Sequence, residues 1–597
     1  MDRTNDFAFK IATANGTGSA SANGLIMQAI FRMGIPVTGK NVFPSNIQGL
    51  PTWYEIRVNK DGYTARTPYF DLMVALNAAT YVKDVAEVRP GGYLLFDSSW
   101  PLDDKLHRPD ITYLGVPLAE MCNAAFTGVR ERILMKNIAY AGALAALLQI
   151  DTAIIRILLK EKFGKKPALM DSNQKAVDVG YDYATQTFSC PLPIRLQPMD
   201  LNKDAILIDG NTSAALGCVY AGATVAAWYP ITPSTSLMDA FRGFCQKFRV
   251  DAQGKHKFAI LQAEDELAAI GMVVGAGWAG ARAFTSTAGP GISLMSEFIG
   301  LAYYGEEPAV IFNVQPTGPS TGMPTRTQQG DLMMCAYASH GDTRHICLYP
   351  ADPREAFEFA VKAFDLAERF QTPVFVLSDL DIGMNDWVVP KLTWDDGYRP
   401  DRGKVLSAEE LESAKTFYRY LDVDGDGIPY RTLPGTHPKG AYFTRGSGHN
   451  RFGGYTEDAD EYTDVVDRID RKIQRASKAV PAPLVQARPG HKLGLVTIGG
   501  CHGACAEAMD VLARDGIGID YMRVRGFPFG DDVSDFLEAH DINFIVEQNR
   551  DAQLRSLLLL ETGVAIEKLA SVRYYGGFPM SAHHVIAGVK AKLEKAA

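Results

Sequence analysis

Between residues 205 and 390 short apolar runs alternate with helix-forming segments in a rhythm that leaves few folds open. TVAAW precedes a helix from Ser234, FAILQA one from Glu264, and ARAFTSTA with GPG one from Ile292. AVIFNVQ, HICLYP and PVFVLSD complete the series, with DPREAFEFAVKAFDLAERF as a capped helix before the last. Runs that are apolar throughout belong to strands buried on both faces, so the block predicts a doubly wound parallel sheet of six strands. Such sheets bind their ligands beyond the carboxyl ends of the strands. Every unusual loop of the block falls at such an end: YPITPST, QAEDE, STAGPG and QPTGPSTGMPTRTQQGD.

The 597 residues are too many for one core. Residues 1–195 alternate FAFKIATA, WYEIRV, FDLMVALN, GYLLFDSS and DITYLGV with helical patterns, which predicts a second α/β domain. The Asn15-Gly16-Thr17-Gly18 turn sits where a nucleotide-binding loop would lie. Residues 19–23 lack the further glycines of that loop, so an ordinary strand–helix turn fits better. From 391 to 487 periodicity fades into a Gly-, Asp- and Tyr-rich stretch, read as an extended arm packed over its neighbours. Residues 488–597 resume the alternation (KLGLVTIGG, IGIDYMRV, INFIVEQ) and predict a third, smaller α/β domain.

Charge and cysteine usage exclude several classes. A formal net charge of −9 without a Lys/Arg cluster argues against a nucleic-acid surface. The N-terminal MDRTNDFAFK has no apolar export signal. The most apolar helix candidate, residues 140–159, is interrupted by Asp151 and Arg156, so a soluble, cytoplasmic protein is expected. Eight scattered cysteines, with only Cys501 and Cys505 close together, offer neither a zinc set nor cluster-type spacing. No metal ligand set is expected on this chain. Gly425-Asp426-Gly427 with Asn450 imitates a metal–diphosphate motif, but no buried strand precedes it, and a turn is the better reading.

Two loops carry chemistry-bearing residues. In YPITPST two prolines fix φ and remove donors, so the segment is a stiff corner bearing Thr232, Ser234 and Thr235. Ser234 or Thr235 can also cap the helix that follows. In QAEDELAAIG three acids meet a helix start. Glu264 and Asp265 suit a first turn, where acids complement the helix dipole. Glu266 opens LAAIGMVVGAGWAG, apolar on nearly every face and therefore expected to be buried, so its carboxyl needs a specific partner.

These segments taken together resemble the pyrimidine-binding domain of 2-oxoacid:ferredoxin oxidoreductases. NVFPSNIQGLPTWYEIRV resembles the family's gamma domain, and the C-terminal block its transketolase-C-like domain, so the resemblance spans nearly the whole chain as a fused gamma–alpha subunit. It implies thiamine diphosphate with Mg²⁺, shared with a beta subunit that carries the diphosphate site and a [4Fe-4S] cluster. It also implies coenzyme A as co-substrate, ferredoxin as electron partner, and an (αβ)₂ assembly. 2-Oxoglutarate is the expected 2-oxoacid, with pyruvate or a branched-chain acid as alternatives. Glu266 matches the acid that hydrogen-bonds the cofactor's pyrimidine N1′, a general acid–base role, with Glu264 as the fallback. The resemblance also places Pro230, Gly289 and Gly291 at the cofactor, and Thr232, Tyr229, Ser234 and Thr321 at the substrate. Many relatives carry an arginine before Gly-Pro-Ser-Thr-Gly, where this chain has Gln315-Pro316-Thr317, so Arg326 is the substitute for binding a substrate carboxylate. Two other readings stay open. One is the beta chain of a lipoamide-linked 2-oxoacid dehydrogenase, which the long N-terminal block disfavours. The other is a non-catalytic assembly subunit, suggested by the missing glycines after Gly18.

Overall fold

The computed structural model describes residues 3–45 and 49–596, in two compact units. Residues 46–48, inside the NVFPSNIQG segment, lie outside the described residues.

The first unit holds residues up to Ile208 and Asn385–Lys391. Its sheet runs in the order Val37–Val42, Pro51–Asn59, Asp6–Ala14, Phe70–Ala75, Val88–Asp97, Thr112–Val116. The first two joints are antiparallel and the rest parallel. All the apolar runs flagged in this block are strands. The Gly16–Gly18 turn leads into the helix Ser19–Arg32, with both glycines at positive φ (82° and 85°), a region closed to most side chains. The apolar stretch around 140–159 resolves into two helices, Val129–Leu148 and Thr152–Phe163, the second capped by Asp151. Among the described residues no helix is long and apolar enough to cross a membrane. The strands Ala205–Ile208 and Trp387–Pro390 pair with one another in this unit.

The second unit contains the expected parallel sheet, in the order Ala259–Gln262, Val225–Trp228, Ala283–Thr287, Ala309–Thr317, Pro373–Asp379, Ile346–Leu348. Every joint among these six strands is parallel. A short strand of the C-terminal block, Gly526–Phe527, extends the sheet antiparallel to Ile346–Leu348. The C-terminal block has its own sheet, in which Asp520–Val524, Leu493–Ile498, Ile542–Glu547 and Leu569–Arg573 run parallel and Leu484–Gln486 forms an antiparallel edge.

Residues 391–487 are less extended than the sequence suggests, because a helix, Ala459–Ala476, occupies their last third. Its buried residues include Arg468 and Lys472 beside Val465, Ile469 and Ile473, so charged letters hide an inward face. These two cations close on Glu306, which is fully buried: Lys472 Nζ donates to Oε2 at 2.7 Å and Arg468 to both oxygens at 2.5 and 3.0 Å. Further upstream, Arg282 and Arg431 both bond Glu368. Burial opposes ionisation of Glu306, but Arg468 and Lys472 outweigh it and hold the carboxyl well below its ordinary 4.5.

Removing one member of a buried ion cluster strands the others. Glu306→Ala is therefore expected to cost about 3–5 kcal/mol, read from urea unfolding of the purified chain. Because the folded-state value is depressed, Glu306 contributes stability above its unfolded value near 4.5 and loses it as pH falls. The gap between wild type and variant should accordingly narrow in acid.

Candidate active site

Four of the flagged loops leave neighbouring strands on one edge of the parallel sheet. QAEDE follows Ala259–Gln262, YPITPST follows Val225–Trp228, the GPG turn follows Ala283–Thr287, and TGPST ends Ala309–Thr317. Val225–Trp228 has Ala259–Gln262 on one side and Ala283–Thr287 on the other. At such a reversal the connections part and open a crevice.

The helix after QAEDE, here the acid helix, runs Glu266–Trp278 and starts two residues later than expected. Asp265 is its N-cap, with Oδ1 accepting the Ala268 N–H at 2.7 Å. Glu264 stands exposed ahead of the helix and is not a first-turn residue. Glu266 is 6% exposed. Among the described residues its carboxyl makes no hydrogen bond or ion pair. Its oxygens are not among the fully enclosed polar atoms, so the carboxyl is open to a donor from outside the chain. The expectation that this helix is buried all round fails on one side, where Leu267 and Met272 are 39% and 41% exposed.

The helix Gly289–Tyr304, here the GPG helix, begins at Gly289 rather than Ile292. Gly291 lets Glu266 reach its place: a methyl there would lie 1.9 Å from Thr287 Oγ1 and 2.9 Å from Glu266 Cγ. Gly289 faces Asp331, whose oxygens would be 2.8 and 3.0 Å from a methyl. Pro230, Tyr229 and Thr232 are exposed. Ser234 is fully buried at the N-cap position of Thr235–Phe248, yet its hydroxyl does not cap that helix. Ser234 Oγ and Thr235 Oγ1 both donate to the Ile231 carbonyl, at 3.1 and 3.2 Å, which stiffens the corner from within. Asn211 Nδ2 pins the corner from outside by donating to the Pro233 carbonyl at 2.8 Å.

The TGPST loop is the tip of a ribbon in which Met323–Thr327 turns back antiparallel on Ala309–Thr317. Ser320 and Gly322 take positive φ there (57° and 47°), and Thr321 is exposed between them. Arg326 is laid across the C-terminal block: its guanidinium lies 5.5 Å from the Phe578 ring centre, and Nη1 donates to the Thr325 carbonyl at 2.8 Å. Thus Glu266 and Gly291 are brought into contact, the corner is fixed beside them, and Arg326 is drawn toward Phe578.

Several polar residues behind the loops escaped the sequence reading. Gln329 is buried, with its Oε1 accepting the Gln548 N–H, its Nε2 donating to the Ile498 carbonyl, and its own carbonyl accepting from Asn549. Asn313 and Gln315 are buried in the strand Ala309–Thr317, all of whose residues are buried. Two amides in such a strand were the signal available, because buried amides need partners. In the first unit a cavity of about 290 Å³ opens at Thr17, bounded by Trp100, Arg132 and Lys136. Lys136 Nζ lies 5.6 Å from the Trp100 ring centre and 3.6 Å from Asp97.

This architecture, a parallel sheet with loops gathered at its strand ends and two accessory α/β blocks, matches known proteins along its length. Residues 216–396 match the family model described as "Pyruvate flavodoxin/ferredoxin oxidoreductase, thiamine diP-bdg", and residues 8–183 that described as "Pyruvate ferredoxin/flavodoxin oxidoreductase". The chain is 30% identical over 641 residues to the 2-oxoacid:ferredoxin oxidoreductase 2 subunit alpha of Aeropyrum pernix, covering 99% of this chain and 98% of that one. It is 32% identical over 346 residues to the 2-oxoglutarate synthase subunit KorA of Methanocaldococcus jannaschii, covering 56% of this chain and 86% of that one. A solved 2-oxoglutarate:ferredoxin oxidoreductase from Magnetococcus marinus, with 2-oxoglutarate, coenzyme A and succinyl-CoA bound, superposes with a TM-score of 0.89 at 26% identity. The superposition covers 99% of this chain and 100% of that one. The chain belongs to the 2-oxoacid:ferredoxin oxidoreductase family, a family of thiamine-dependent oxidoreductases.

Proposed function

We propose that this chain is the alpha subunit of a cytoplasmic 2-oxoglutarate:ferredoxin oxidoreductase. The reaction joins 2-oxoglutarate, coenzyme A and oxidised ferredoxin to succinyl-CoA, CO₂ and reduced ferredoxin, or runs in reverse. The observation that carries the reading is Glu266, a carboxyl buried at the strand-end crevice, seated on Gly291 and left without a partner. Bound thiamine diphosphate supplies the C2 carbanion that such decarboxylations require. Glu266 holds and moves the proton at the pyrimidine N1′, Gly291 gives it room, and Thr232 on the pinned corner bonds the 2-oxoacid. Pro230 and Gly289 border the cofactor, and Tyr229 and Thr321 complete the substrate side, while Ser234, expected there from the sequence, is fully buried with its hydroxyl on the Ile231 carbonyl and stiffens the corner instead. The diphosphate, its Mg²⁺ and a [4Fe-4S] cluster belong to a beta subunit in an (αβ)₂ assembly. The exposed face of the acid helix, with Leu267 and Met272, is the surface that subunit covers.

Glu266→Gln keeps the shape but cannot transfer a proton. Cofactor affinity of the assembled enzyme should survive, while C2-proton exchange, followed by NMR after acid quench in D₂O, should slow by roughly 10²–10⁴-fold. Glu264→Gln, on an exposed residue outside the helix, should leave exchange unchanged. Normal exchange in the 266 variant would remove the assignment.

Coenzyme A is assigned to the cavity of the first unit, where Arg132 and Lys136 suit its phosphates and Trp100 offers a ring for the adenine. Lys136→Ala should raise KM for coenzyme A about tenfold, the scale of one charge-assisted hydrogen bond, with KM for the 2-oxoacid unmoved. An unchanged KM for coenzyme A would place its site elsewhere.

A second reading, a monocarboxylic 2-oxoacid such as pyruvate or a branched-chain acid, is favoured by one feature. Gln315-Pro316-Thr317 supply no arginine before the Gly-Pro-Ser-Thr-Gly loop to meet a far carboxylate, and Arg326 is drawn onto Phe578. Comparing kcat/KM across 2-oxoglutarate, pyruvate and 2-oxoisovalerate decides between them. If Arg326 serves the far carboxylate, Arg326→Ala should impair 2-oxoglutarate alone.

A further inference from the structure

Carboxyls border the GPG turn on two sides. Gly291 faces Glu266, and Gly289 faces Asp331, whose oxygens would lie 2.8 and 3.0 Å from a methyl at 289. Asp331 is firmly held. Asn313 Nδ2 donates to its Oδ2 at 3.0 Å, and its backbone N–H donates to Gln315 Oε1 at 3.0 Å. Both amides belong to a strand all of whose residues are buried, Ala309–Thr317. Burial raises the Asp331 pKa, with the Asn313 hydrogen bond opposing. Capping does not account for this residue, since its side chain makes no cap bond to the five-residue helix Leu332–Ala336.

The GPG helix has a vacancy in its own capping scheme. Its N-cap is Ala288, which has no side chain able to accept a hydrogen bond. The Asp331 carboxyl packs on Gly289 at the first helical position and brings an acceptor to an N-terminus whose own cap residue has none. Asp331 also borders a cavity of about 480 Å³ shared with Gly289, Ser293 and the TGPST loop.

We propose that Asp331 is a positioning residue for the reaction: clamped by Asn313, its carboxyl fixes the first turn of the GPG helix, on which Glu266 is seated at Gly291. The arrangement links the buried strand to the acid in three contacts, Asn313 to Asp331, Asp331 to Gly289, and Gly291 to Glu266. It rests on the reading of Glu266 as the acid that acts on the cofactor. Asn at 331 keeps an acceptor for Asn313, whereas Ala leaves the turn unsupported. At 289 the backbone φ is not positive, so Ala there adds a methyl against Asp331 without a conformational penalty of its own.

The test compares Asp331→Ala, Asp331→Asn, Gly289→Ala and the Gly289→Ala/Asp331→Ala pair with Glu266→Gln in the assembled enzyme. The first readout is C2-proton exchange of bound thiamine diphosphate. The second is amide hydrogen exchange over residues 288–294 in the chain without cofactor. Asp331→Ala should slow C2 exchange by roughly 10–10²-fold, the scale of a misplaced group, while amide exchange quickens only over that turn. Asp331→Asn should restore both to near wild type. Gly289→Ala alone should also slow C2 exchange, and the pair should be no slower than Asp331→Ala, because removing the carboxyl removes the clash. Wild-type C2 exchange in Asp331→Ala beside slow exchange in Glu266→Gln would overturn this proposal and leave the Glu266 reading intact. Normal exchange in Glu266→Gln would instead overturn that earlier reading, and with it the route proposed here. Multiplicative slowing in the pair, or loss of amide protection throughout the chain with no recovery in Asp331→Asn, would reduce Asp331 to general stability.

Discussion

The absence of one methyl group at Gly291 sets the geometry on which the candidate site depends. The strand Ala283–Thr287 delivers Thr287 to the same spot as the incoming GPG helix, and a side chain at 291 would meet both Thr287 Oγ1 and Glu266 Cγ. With only hydrogen there, the two helices that follow the strands on either side of Val225–Trp228 approach closely enough for the acid of one to lie against the first turn of the other. Packed interiors do not deform to accept even one extra carbon, so the acid's position is fixed by backbone rather than by a mobile side-chain network. That suits the role proposed for Glu266, a group that meets its partner only when a cofactor binds.

Holding such a turn still needs support that an apolar core alone does not give, because dispersion is non-directional. Hydrogen bonds supply direction. Asn211 fixes the YPITPST corner through the Pro233 carbonyl, and Gln329 ties the loop after the ribbon to Gln548, Asn549 and the Ile498 carbonyl. Far from the crevice, Glu306 with Arg468 and Lys472 performs a different task, binding the helix Ala459–Ala476 to the end of the GPG helix region. The loops at the strand ends are thus short, polar and fixed, while the covering segment is fastened through buried charge.

The sheet was legible because its strands are predominantly apolar and its breaks are made by proline and glycine, residues whose backbone consequences are local. The loops could be placed for the same reason. The helix start at Glu266 was two residues late because three consecutive acids compete for one cap. Asp265 takes it through the Ala268 N–H, which letters alone cannot decide. Asp331, Asn313 and Gln329 were invisible as a group, since their contacts span 16 to more than 200 residues and no local pattern links them. The helix Ala459–Ala476 was missed for an opposite reason: its inward face carries Arg468 and Lys472, which read as solvent-facing until their partner Glu306 is known.

The acid helix shows what apolar sequence reports. The composition of LAAIGMVVGAGW predicts burial on all sides, yet Leu267 and Met272 reach water in the single chain. At about 25 cal/mol per Å² such exposure is mildly unfavourable, and in the proposed assembly the beta subunit would cover it. The same helix begins with a carboxyl lacking a donor. An apolar flank without cover and an acid without a partner adjoin on one helix, and the proposed function answers both with one surface, a partner subunit that closes over the crevice and a cofactor that offers Glu266 a nitrogen.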